Sequence, residues 1–143
     1  MYRLAFAAVM LAAASAHAET ISCPDLSAAV QIGVCPSEQE LKWGYNGYCS
    51  DNARMYEKDG DTCASIENYK KLKDVVLWEV GEFQGYLPCG QSPEQIKATR
   101  PVGVSVSKAG AMTRIACTYD GGLVMAYRTK QACKVEGAQA VCN

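Results

Sequence analysis

Beyond residue 18 the sequence has no histidine, since the one in the chain is His17. This removes the commonest general base, the Ser-His and Cys-His nucleophile pairs, and the commonest zinc and copper ligand. No Cys-x-x-Cys occurs, and neighbouring cysteines stand 9 to 28 positions apart, a spacing unsuited to zinc. There is no phosphate-cradling glycine loop, and Gly121-Gly122 reads as a turn. After the first residues no apolar run approaches the roughly 20 needed to cross a bilayer. No stripe of Lys and Arg is long enough to suggest nucleic acid or anionic lipid as a partner. Neither a metal nor a cofactor is expected.

What is present begins with an address. Met1, Tyr2 and Arg3 form a short positive segment, Leu4 to Ala14 is apolar, and Ala16-His17-Ala18 is a small-x-small cleavage site. In that order these are the parts of a secretory signal over residues 1–18. Cleavage leaves Glu19 as the new N-terminus and residues 19–143 as one domain, periplasmic or secreted, with no membrane insertion once the signal is gone. Removing Arg3 leaves 13 basic against 15 acidic residues, a net charge of −2.

All eight cysteines follow the signal, at Cys23, Cys35, Cys49, Cys63, Cys89, Cys117, Cys133 and Cys142. An even count in an exported chain reads as four disulfides. Spacing does not choose among the pairings; linking neighbours, Cys23 to Cys35, Cys49 to Cys63, Cys89 to Cys117 and Cys133 to Cys142, is the simplest expectation.

The first half reads as helical. Pro24 to Gly33 has proline at the start, an acid in the first turn and glycine at the end, with Leu26, Ala29 and Val30 on the buried side. Ser50 or Asp51 caps a second short helix through Met55 and Tyr56. Thr62 caps a third, carrying Ile66, Tyr69, Leu72 and Val76 at near-helical spacing, with Lys70, Lys71, Lys73 and Asp74 in water. From Leu77 the period changes. Leu77 to Leu87 reads as one long or broken strand, with Gly81 or Gly85 as a bend and Trp78, Phe83 and Tyr86 in the core. A helical turn follows over Glu94 to Ala98. Val102-Val104-Val106, Ile115-Cys117-Tyr119 and Leu123-Met125-Tyr127 then alternate between turns, an antiparallel meander. Ala138 to Cys142 adds an edge strand. The expected fold is α+β: two or three N-terminal helices packed on a C-terminal antiparallel sheet of three to five strands.

Candidate chemistry is sparse. Glu79, Glu82 and Asp120 supply carboxylates for a glycosidase-type pair, which makes a small carboxylate-dependent hydrolase one reading. Ser105 or Ser107 beside Lys108 is a weaker nucleophile arrangement. Asp59-Gly60-Asp61 lacks the further oxygen ligands of a calcium loop and reads as a turn. The one unusual cluster is Trp43-Gly44-Tyr45-Asn46-Gly47-Tyr48, whose Asn-Gly favours a tight hairpin turn. Trp43, Tyr45 and Tyr48 there are candidates for stacking on a glycan or peptidoglycan sugar, or for anchoring a protein interface. With imidazole absent and thiols paired, the favoured expectation is a non-enzymatic module recognising a protein partner, such as an immunity-type inhibitor of a toxin.

Cys23-Pro24, Trp78, Cys117-Thr118-Tyr119 and Cys142 together resemble landmarks of uncharacterised small exported proteobacterial proteins. The sequence departs from them in its extra cysteines and longer helical first half. The resemblance implies an envelope setting and no activity. For protein recovered from its native compartment, intact mass should equal that of residues 19–143 less eight hydrogens, with no adduct after alkylation under denaturing conditions. Alkylated cysteine would overturn the reading of four disulfides.

Overall fold

The computed structural model describes residues 17–143, so most of the segment read as a signal lies outside the described residues. The chain is α+β with two antiparallel sheets. β1 (Glu19–Ser22), β8 (Cys133–Glu136) and β9 (Gln139–Cys142) form a three-stranded sheet in the order β1-β9-β8. β2 (Val30–Gln31), β3 (Val75–Val80), β4 (Phe83–Pro88), β5 (Pro101–Ala109), β6 (Met112–Tyr119) and β7 (Val124–Thr129) form a six-stranded one, ordered β2-β3-β4-β7-β6-β5. Between β2 and β3 lie α1 (Glu38–Tyr48), a π-helical turn (Arg54–Lys58), α2 (Gly60–Cys63) and α3 (Ile66–Lys73); α4 (Pro93–Ala98) follows β4.

Several sequence expectations change. Pro24 to Gly33 is not a helix: Asp25 caps a single 3-10 turn, Leu26–Ala28, and the chain then extends into β2. Val30 is therefore exposed, not buried. Two neighbouring β-branched residues, Val30 and Ile32, favour the extended form once β3 offers a partner strand. Leu77 to Leu87 does not run as one strand but folds into the β3–β4 hairpin, with Val80 opposite Phe83. Gly81 sits in the turn at φ +56°, a conformation open to glycine. The third helix starts at Ser65 rather than Thr62, because the Ser65 side chain accepts the Asn68 N–H. It ends before Val76, which belongs to β3. The Ala138–Cys142 segment is strand, yet its β9 is the central strand of the small sheet and not an edge. The meander holds, with β6 paired to β5 and β7.

The main core lies on one face of the large sheet. Val76, Trp78 and Val80 from β3, Phe83 and Leu87 from β4, Ile115, Cys117 and Tyr119 from β6, and Met125 from β7 are buried there. The small sheet closes over them with Ile21, Ala140 and Cys142, while Leu26 and Ile96 seal the remainder. Each fully buried aliphatic side chain contributes about 1.5–3 kcal/mol to holding these layers together. No residue of α1, α2 or α3 belongs to this core. The expected packing of N-terminal helices on the sheet is thus replaced by a helical lobe that packs on itself, with Leu41, Cys49, Cys63 and Tyr69 buried inside it.

Four disulfides staple the parts, two of them unlike the neighbour pairing. Cys49–Cys63 and Cys133–Cys142 link as expected; Cys23 pairs with Cys117 and Cys35 with Cys89. Register explains the exchange. β1 lies against β9, which sets Cys23 over the core face of β6, and Cys35 stands where the helical lobe leaves the sheet, beside the end of β4. Cys35–Cys89 closes a loop of sequence separation 54 around the lobe, whereas Cys133–Cys142 spans 9. Replacing Cys35 and Cys89 together by serine should cost about 4 kcal/mol in urea unfolding, against about 3 kcal/mol for Cys133 and Cys142. The reverse order would contradict loop closure as the source of stability.

Tyr119 is buried, and its hydroxyl donates to the Pro24 carbonyl at 2.7 Å. Burial holds its phenol neutral, pushing its pKa up to about 12 from an ordinary 10. Above pH 10 the unfolded chain loses this proton while the folded chain keeps it, so stability should fall as pH rises from about 10 to 12. Tyrosinate absorbance should show a late-titrating phenol that is missing in Tyr119→Phe. The same variant should lose about 1 kcal/mol at neutral pH, where its contribution is the hydrogen bond alone.

Candidate functional site

The aromatic cluster near residue 45 is helical. Ser37 and Glu40 form a capping box, with the Ser37 hydroxyl accepting the Glu40 N–H and the Glu40 carboxylate accepting the Ser37 N–H. This commits the chain to α1 through Tyr48, so Asn46-Gly47 makes no hairpin turn. Helical spacing then separates the three aromatics. Trp43 projects outward, 64% exposed. Tyr45 and Tyr48 turn inward and pack on Tyr69, with ring centroids 5.7 and 5.9 Å away. The Tyr45 hydroxyl donates to the Cys63 carbonyl and that of Tyr48 to Asp59 Oδ2. The Asp59 bond holds the Tyr48 phenol above its ordinary pKa, and the Arg54 guanidinium covers its ring at 4.3 Å. The three therefore make no common platform.

The remaining sequence candidates are also kept apart. Glu79 lies mid-strand in β3 and accepts from the Gln84 side chain at 2.7 Å. Glu82 is in the β3–β4 turn, while Asp120, at the far end of the sheet, accepts the Arg100 N–H. Ser105 and Ser107 face away from the core, whereas the Lys108 ammonium donates to Thr113 Oγ1 on the core side. Asp59 and Asp61 flank the junction of the π-helical turn and α2. Among the described residues no three metal-ligating side chains converge, and no helix is long and apolar enough to cross a membrane.

The second face of the large sheet carries a feature that sequence reading missed. Alternation sends Trp78, Leu87, Ile115 and Met125 to the core, so their neighbours form the opposite face. Cross-strand register arranges these in rows. One runs Val30, Glu79, Gln84, Ala126, Ala116, Ser105, each opposite the next. On one side of it lies an apolar row of Ile32, Leu77, Tyr86 and Val124; Ile32 donates its N–H to the Leu77 carbonyl, and Leu77 faces Tyr86. On the other side stand Arg128, Arg114 and Ser107, with the two arginines directly opposed.

Nothing among the described residues covers this face. Ile32 is 52% exposed and Tyr86 70%, so Tyr86 is not the core residue its sequence context suggests. Alanines in the middle row leave a trough of about 490 Å³ lined by Leu77, Gln84, Gly85, Tyr86, Arg114 and Arg128, among others. Gly85, opposite Trp78 on the core side, lets β4 lie close to β7, since a Cβ there would strike the Val124 carbonyl and the Met125 side chain. Beyond Tyr86 a second depression of about 380 Å³ runs over Val75, Pro88 and half-exposed Leu72 to Lys71. Comparison with models of known protein families, with curated proteins and with solved structures finds no match to this chain.

Proposed function

We propose that this chain is an exported, non-enzymatic binding module, periplasmic or secreted, that recognises a protein partner through the outer face of its large sheet. The carrying observation is the uncovered row Ile32, Leu77, Tyr86 and Val124, continuous with Leu72, Val75 and Pro88. Antiparallel sheets tolerate water on one face, but that face is then ordinarily polar. A contiguous apolar patch bordered by charge marks an interaction surface. Four disulfides fit an oxidising compartment outside the cytoplasm. An inhibitor of the immunity type fits this reading, since such a protein needs a stiff surface and no reacting groups.

A photo-reactive phenylalanine analogue at position 86, in the full chain expressed in its producing cells, should form a discrete protein adduct on irradiation. The same group at Tyr56, 77% exposed but remote on the π-helical turn, should not. Tyr86→Ala should weaken the captured complex by about 2 kcal/mol, as expected of a central aromatic anchor. It should leave the unfolding midpoint unchanged. Absence of an adduct at 86, or equal adducts at both positions, would overturn the proposal.

A further inference from the structure

We infer that the segment bound on the outer face is an acidic protein segment, whose carboxylates are held by Arg114 and Arg128 while an apolar side chain fills the trough beside Tyr86. This rests on the reading of that face as a protein-binding surface and specifies what it takes.

The argument starts from a cost. Arg114 and Arg128 are paired across β6 and β7, and like charges directly opposite each other destabilise a sheet. Some of the other described cations meet a carboxylate: Lys70 binds Glu38, Lys134 binds Glu136, and Arg100 lies 3.5 Å from Asp25. What sets Arg114 and Arg128 apart from the solvated lysines is that their register opposes them directly. Among the described residues neither Arg114 nor Arg128 has such a partner or a side-chain hydrogen bond. The one carboxylate among the outward strand positions, Glu79, is two strands from β7, in the next row, and accepts from Gln84. Two arginines at directly opposed positions on one face can offer their guanidinium forks to a pair of carboxylate oxygens, or to two neighbouring carboxylates, in bidentate fashion.

The trough adds the second requirement. Rows two residues apart along a strand are separated by about 6.8 Å. A ligand must therefore place an apolar group over Ala126, against Leu77 and Tyr86, within about two such rows of its negative charge. The further depression puts the Lys71 side of α3 next to Leu72, Val75 and Pro88, and again brings no acid. A polypeptide with Asp or Glu near Leu, Ile or an aromatic residue meets both demands; an anionic polysaccharide meets only the first. A second copy of this chain is disfavoured, since a two-fold contact centred on the trough would bring four arginines together.

The test is panning of a displayed random dodecapeptide library on the oxidised protein. Enriched peptides should combine Asp or Glu with a large apolar residue. Synthetic versions should bind at least tenfold more weakly to R114A/R128A and lose affinity as salt rises. That variant relieves the opposed charges, so its unfolding midpoint should stay the same or rise, which separates lost binding from misfolding. Enriched peptides that are apolar without acids, and that bind R114A/R128A normally but not Tyr86→Ala, would overturn this inference while keeping the outer face as a protein-binding surface. Failure to enrich any sequence sensitive to either variant would overturn both. Binding of polygalacturonate as tight as that of the best acidic peptide would overturn the assignment to a protein segment.

Discussion

One-sided burial of the large sheet governs the rest of the structure. Strand alternation supplies two faces, and the described residues cover one of them. The small sheet, the 3-10 turn and α4 all go to the side of Trp78 and Met125. The helices long enough to cover the other side instead turn inward around Tyr69. Their commitment to each other follows from local forces: a capping box at Ser37, the Cys49–Cys63 bond, and three tyrosines whose rings pack together, two of them with hydroxyls bonded within the lobe. Among the described residues nothing is left to shield the far face of β3, β4, β6 and β7.

That outcome bears on the functional reading in a way that composition does not. A net charge near neutrality describes the whole surface, whereas the register places the two arginines of β6 and β7 together and sends most carboxylates elsewhere. Stability alone does not select an opposed pair of this kind. Unpaired Arg114 and Arg128 beside a solvent-facing tyrosine form a surface whose energy falls when something anionic and apolar covers it. The same face is rigid, since it is built on hydrogen-bonded strands and not on loops, so little order need be gained on binding.

Much of the architecture was legible from residues. The period-2 runs around Val104, Ile115 and Met125 gave the meander because half-buried strands show their alternation directly. The α4 helix reads as a turn over Glu94 to Ala98, short of its start, because Ser92-Pro93 reads as loop when the Ser92 cap on Gln95 is not seen. What failed did so for physical reasons. Val30 and Ile32 had a helical punctuation upstream, but only the neighbouring β3 makes an extended edge favourable, and that is a tertiary fact. The Asn46-Gly47 pair suggested a turn, yet the Ser37-x-x-Glu40 cap, present in the sequence, outweighs it by fixing a helix start nine residues earlier. The outer site was hidden for a different reason. Arg114 and Arg128 lie 14 positions apart, and their opposition exists only through the β6–β7 register.

The helical lobe leaves the sheet at Cys35 and rejoins it at Val75, with Asp74 accepting the Cys89 N–H at 3.0 Å where the disulfide also sits. Entry and exit are thus pinned at one corner, and the interior of the excursion shares no buried residue with the main core. Evolution can lengthen, shorten or redecorate residues 36–73 with little penalty to the β scaffold, because the covalent clasp preserves the corner whatever hangs from it.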